Sequence, residues 1–180
     1  RSAQFAQIGD LGGTLHLLEF DTSAQRARFY LADRDQFNFT GVASIPGIQG
    51  SYLAPLEGDG VKMYGLLPEG LYDFDNTPSI VIDNSRSEDK ILAMTMYQNE
   101  VYFKNKQSLV HYDGTDLRSV GYDREDGLPS DKRGNITAIC SSWQGIFAAV
   151  WVGNDSHILH YNGVWNYYAC IPTLGIRIRH

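Results

Sequence analysis

The chain has 180 residues, 43% hydrophobic and 20% charged, with a net charge of −6. That composition suits a chain folded around a core and excludes wholesale disorder, collagen-type repeats and a disulfide-dense miniprotein. The acid excess argues against a nucleic-acid groove or a grip on anionic membrane, and no apolar run reaches the ~18 residues of a membrane-spanning helix.

Taken in order, the first fifty residues place Gly12-Gly13 before an apolar run Thr14–Phe20, followed by Arg26–Ala32 and Phe37–Ala43. The next segment reads Ser51–Leu56, a turn at Glu57–Gly60, then Val61–Leu67, Leu71–Asn76 and Ser79–Ile82. A third follows as Ile91–Met96, a turn at Gln98–Glu100, Val101–Lys104, Leu109–Gly114 and Leu117–Val120. The last is Ile136–Cys140, a turn at Trp143–Gly145, Ile146–Val152, Ile158–Gly163 and Val164–Tyr168. Each of the last three segments is four short apolar or alternating runs separated by turn residues, which is the pattern of strands, and the first fifty residues hold a fainter copy of it. No stretch repeats apolar residues at i, i+3, i+4 and i+7 for three turns, so no long helix is expected.

Asp113-Gly114 and Asn162-Gly163 are dipeptides suited to type I′ hairpins, where both central residues take positive φ. Second strands begin at Thr14, Val61, Val101 and Ile146, offsets of 47, 40 and 45 residues. Four-stranded antiparallel units at such a period predict an all-β fold of the β-propeller class. One such sheet has two apolar faces and buries them by stacking on its neighbours. Four units, approximately 1–50, 51–90, 91–135 and 136–175, make either a four-blade ring or an arc of a larger one. A β-sandwich is the rival, but it requires no grouping by fours. Of the tryptophans, Trp151 is expected to be buried between blades and Trp165 to pack beside the Asn162-Gly163 turn.

The stretch Ile91–Ile171 resembles propeller repeats of extracellular and virion proteins. The resemblance lies in Tyr112-Asp113-Gly114, Tyr161-Asn162-Gly163, the aromatic in Gly163-Val164-Trp165, and Asp126-Gly127-Leu128-Pro129-Ser130 before a first strand. The last motif is also similar to sensor propellers of two-component regulators, which continue as Gly-x-Leu-Trp-x-Gly-Thr where this chain has Gly145-Ile146-Phe147-Ala148. The Tyr-Asn-Gly-x-Trp turn and irregular blade length look more like propellers embedded in tailed-phage structural proteins. That resemblance implies a virion or extracellular setting.

His111 and His160 fall at one repeat position, with Asp73 there in the unit before. A shared metal would need two separate blades to bring the histidines within a few ångström, so repeat-periodic packing is the expectation. Glu57, Asp59, Asp73 and Asp75 lack calcium-loop spacing and suit turns. No metal and no cofactor are expected. Cys140 and Cys170 sit among apolar residues and are expected as buried free thiols, with a disulfide the alternative. Arg26, Arg28, Arg118, Arg177 and Arg179 are dispersed, and Asn154–Ser156 and Asn162–Trp165 only distantly approach the Asp-box of sialidases. Asn38, Asn135 and Asn154 head glycosylation sequons, a mild pointer to a secreted protein.

Propeller rims carry recognition through their loops. The charged rim is expected at Arg86, Glu88, Asp89 and Lys90 and at Asp123, Arg124, Glu125, Asp131, Lys132 and Arg133. With no catalytic dyad placed by spacing, the chain is read as a non-catalytic interaction module of a larger assembly. The alternatives are a carbohydrate-binding or sialidase-like propeller and an extracytoplasmic sensor. Its partners are expected to be other proteins or further blades, with carbohydrate an additional candidate. The absence of an initiating methionine is read as the mark of a processed product or of part of a longer polypeptide. The alternating Gly175–His180 end is expected to meet those further blades or a neighbouring subunit.

Overall fold

A computed structural model describes residues 5–21, 23–46, 56–58, 61–75, 77–84, 91–105, 108–120, 132 and 134–171. Among them are sixteen strands and no α-helix. They form four antiparallel sheets of four strands, each in simple up-and-down order. The first sheet holds β1 (Phe5–Leu11), β2 (Thr14–Asp21), β3 (Arg26–Asp33) and β4 (Thr40–Pro46). The second holds β5 (Leu56–Gly58), β6 (Met63–Leu67), β7 (Gly70–Asp73) and β8 (Ser79–Asp83). The third holds β9 (Ala93–Tyr97), β10 (Glu100–Lys104), β11 (Leu109–Tyr112) and β12 (Leu117–Ser119). The fourth holds β13 (Asn135–Ser142), β14 (Gly145–Val152), β15 (Asp155–Tyr161) and β16 (Trp165–Ile171). These sheets are the four expected repeat units. β1 was not among the expected strands, and Glu57 and Gly58, expected as turn, are strand and pair with Tyr64 and Met63.

The chain divides into two compact units, Arg1–Glu88 and Asp89–His180. In the first, one face of β2 and β3 (Leu18, Phe20, Ala27, Phe29) packs on Met63, Leu67 and Tyr72 of the second sheet and on Phe74, the residue after β7. Phe29 and Phe74 meet with ring centroids 5.0 Å apart. In the second unit Tyr102, Leu109 and Val120 pack with Ile136, Ile139, Ile146, Ala148, Val150, Leu159, Tyr161 and Trp165. Burying each such large side chain contributes about 1.5–3 kcal/mol, which is why neither sheet of a pair is left with its inner face in water. Three polar contacts tie the third and fourth sheets. Thr95 Oγ1 donates to Ser141 Oγ at 3.0 Å, Lys104 Nζ to the Ile136 carbonyl at 3.1 Å, and Trp165 Nε1 to the Val120 carbonyl at 3.1 Å. Burial holds the Lys104 ammonium below its usual pKa.

Alternation along β14 decides which residues enter this core. Ile146, Ala148 and Val150 point inward and are buried. Trp151 has the opposite parity, so it is half-buried rather than enclosed between blades as expected. Trp165 is 3% exposed and meets Tyr161 with centroids 5.2 Å apart, as its place beside the turn implied.

The type I′ expectation needs correction. Gly114 and Gly163 do take positive φ (95° and 104°), but Asp113 and Asn162 do not. Their loops are longer than two residues, because Tyr112 pairs with Leu117 and Tyr161 with Trp165. Asp113 instead accepts hydrogen bonds at Oδ1 from the amides of Thr115 and Asp116. The two-residue hairpins with both φ positive are Gly12-Gly13 and Gln98-Asn99. Gly163→Val is expected to destabilise by about 1–2 kcal/mol, since the space around Gly163 is open and only the backbone resists. A urea-unfolding midpoint equal to that of the parent chain would refute this.

Three of the four sheets share an irregularity. The register shifts between third and fourth strands at Phe29/Tyr30, Leu71/Tyr72 and Ile158/Leu159. Each shift is a β-bulge that adds one residue to the outer strand.

Candidate functional site

Of the charged rim, Arg86, Glu88, Asp89, Lys90, Asp123, Arg124, Glu125, Asp131 and Arg133 lie outside the described residues. Lys132 is described, and its Nζ sits 5.6 Å from the centroid of the Tyr167 ring. Tyr167 in turn lies against His157, ring centroids 6.0 Å apart. This leads from the rim to a cluster that the sequence reading passed over.

The cluster follows from strand geometry. Asp155 and His157 are two apart on β15, so they project from the same face. Cys170 of β16 is the direct partner of His157 in the antiparallel ladder. Side chains directly opposite in such a ladder stand within contact distance. A carboxylate oxygen of Asp155, a ring nitrogen of His157 and Cys170 Sγ consequently all lie within 4.8 Å of one another. His157 is only 7% exposed, and its Nδ1 is buried without a hydrogen-bond partner. Cys170 is exposed and Asp155 half-buried, so the group opens to solvent on one side. This face of β15 continues into Leu159 and Tyr161 of the core. A donor set of one nitrogen, one sulfur and one oxygen at a common point suits a metal ion or a thiol-centred reaction.

Both cysteines are free and exposed, not buried as expected. They occupy β13 and β16, the opposite edges of one sheet, where side chains have no neighbouring strand on one flank. That separation also removes the disulfide alternative.

His111 and His160 occupy equivalent ladder positions, each opposite an aromatic on the second strand. His111 stacks on Tyr102 at 4.9 Å and pairs with Glu100 Oε2 at 3.0 Å. Burial, with the Glu100 carboxylate close by, raises the pKa of the Tyr102 phenol. His160 lies 4.7 Å from Phe147 and its Nε2 donates to the Gln144 carbonyl at 3.0 Å. These are packing roles repeated from blade to blade. Asp73 is paired with Lys62 at 2.8 Å and accepts from the amide of Asp75 at 2.9 Å, a turn role. The side chains of Glu57 and Asp59 lie outside the described residues. Arg28 is taken up by Asp21 at 3.2 Å and Glu19 at 3.8 Å. Asn38, Asn135 and Asn154 are exposed.

No family model and no curated protein matches the chain. Solved structures do. The acylaminoacyl peptidase of Pyrococcus horikoshii aligns over 95% of this chain with a TM-score of 0.62 and 11% identity. An acylaminoacyl peptidase in complex with Z-Gly-Gly-Phe-chloromethyl ketone aligns over 91% with a TM-score of 0.60 and 11% identity. The chain spans 28% and 27% of those two chains. The expectation of a non-catalytic protein is not sustained, because both of these solved structures that share its architecture are peptidases. Nothing in the likeness points to a phage. At this identity it is the fold that is shared: an all-β chain of four four-stranded blades, a β-propeller or an arc of one.

Proposed function

We propose that this chain is the propeller portion of a larger peptidase-type enzyme, and that its charged linker rim recognises protein or peptide segments. The observation that carries the reading is the extent of the likeness, which takes in nearly all of this chain and little more than a quarter of each peptidase. Recognition is assigned to the rim because loops carry binding on rigid strand scaffolds. Lys132, the described member of that rim, rests on Tyr167 in a cation–π contact. The Tyr161-Asn162-Gly163-x-Trp165 turn is the one observation that favours a second reading, an interaction propeller of a tailed-phage virion.

The full-length protein supplies the test. It is expected to hydrolyse N-acylated peptides and to be labelled by a peptidyl chloromethyl ketone. Replacing Arg124, Glu125 and Asp131 together with alanine is expected to raise KM about tenfold, worth ~1.4 kcal/mol of binding, with kcat held. A full-length protein without turnover or label overturns the peptidase assignment. An unchanged KM in the triple variant overturns the role of the rim.

A further inference from the structure

We propose that Asp155, His157 and Cys170 bind a single divalent cation of borderline softness, Zn2+ above all, at the loop end of the fourth blade. The inference rests on this one sheet and is independent of the peptidase reading.

Three observations converge on it. The first is the common focus: all three donor atoms lie within 4.8 Å of one another. Ligands around tetrahedral zinc, with bonds of ~2.0–2.3 Å, stand roughly 3.3–3.8 Å apart, so the group needs to contract by about an ångström. A Cys–His–Asp catalytic relay is arranged differently. There the imidazole stands between thiol and carboxylate, and the two outer groups are held apart by the ring. The second is His157 itself. A buried imidazole nitrogen without a partner costs folding free energy, and an ion accepting its lone pair would remove that cost. The third is the donor chemistry. Calcium and magnesium take oxygen shells, whereas a thiolate with an imidazole selects zinc and its neighbours.

The bookkeeping of charge is consistent. Binding expels the Cys170 thiol proton to solvent, and the thiolate and Asp155 carboxylate then balance the two positive charges of the ion. Three protein ligands leave a fourth position, open to water on the side where Cys170 is exposed.

The test uses the whole chain without a polyhistidine tag. After equilibration with Zn2+ and removal of excess, elemental analysis is expected to find one zinc per chain. Co2+ in its place is expected to give a thiolate-to-cobalt charge-transfer band and the strong visible bands of a tetrahedral site. Cys170→Ser, at an exposed position, should lose the charge-transfer band. Asp155→Asn and His157→Gln should each weaken Zn2+ binding by about 100-fold or more, the upper end of what losing even a supporting residue costs. Cys140→Ser, on the opposite edge of the sheet, should retain both stoichiometry and band. Circular dichroism confirms that each variant keeps its strands. Substoichiometric zinc in the parent chain, or a charge-transfer band that survives Cys170→Ser, overturns the proposal. So does unaltered affinity in folded Asp155→Asn.

Discussion

Gly145→Ala is expected to lower stability by about 4 kcal/mol, although it adds a single methyl group. Gly145 ends the Trp143-Gln144 turn with φ +147°, a conformation that L side chains rarely adopt. A Cβ there would run into the Tyr161 carbonyl of the adjacent strand and the His160 ring nitrogen. Backbone strain contributes about 1–3 kcal/mol and the forced shift of a packed strand about 1–3 more. Gly70, after the Pro68-Glu69 turn of the second blade, repeats the arrangement: φ is +150° and its Cβ would meet the Ile82 carbonyl. Gly70→Ala should therefore behave alike. Gly114→Ala, where nothing lies within 4 Å, should cost about 1 kcal/mol from conformation alone. Urea unfolding of the three variants decides it, and equal midpoints for Gly145→Ala and Gly114→Ala would refute the close approach.

Trp165→Ala is expected to cost about 3–5 kcal/mol, the usual range for emptying a buried indole site. The indole spans two blades: its ring is among the core of the fourth, and its Nε1 satisfies the Val120 carbonyl at the end of the third. Trp165→Phe separates the two contributions. Phenylalanine keeps much of the apolar contact with Tyr161 but leaves the carbonyl without its donor, a loss of about 1–3 kcal/mol. The phenylalanine variant should fall between the parent and Trp165→Ala in chemical unfolding. Equal losses for the two would mean that the hydrogen bond, not the packing, holds the blades together.

The repeat was legible because each turn is local: Gly12-Gly13, Gln98-Asn99 and the Gly-containing loops mark strand ends whatever lies around them. Trp165 was legible for the same reason, since its neighbour Tyr161 is only a loop away. Trp151 was not, because an unbroken apolar run such as Ile146–Val152 hides its parity. Only the pairing of Ala148 with Leu159 shows which alternate residues face the core. Asp155 and His157 were lost because the third strand of this unit was begun only at Ile158, although Asp-x-His already places two ligand types on one strand face. Cys170 could not have been added to them from sequence. Its relation to His157 depends on the register of β16, and that register is broken partway.

The break has a consequence of its own. From Trp165 to Tyr167 the outer strand of the fourth blade pairs in one register, and from Ala169 onward in another, with Tyr168 taking up the difference. Were the first register continued, Cys170 would stand opposite Ser156, on the reverse side of the sheet from His157. One supernumerary residue thus works like a frameshift, resetting which side every later residue of the strand addresses. Since the outermost strand has no further neighbour in its sheet to keep in step with, such a slip disturbs little else. In this architecture the cheapest way to bring a new side chain to an existing face is to change the count of residues rather than their kind.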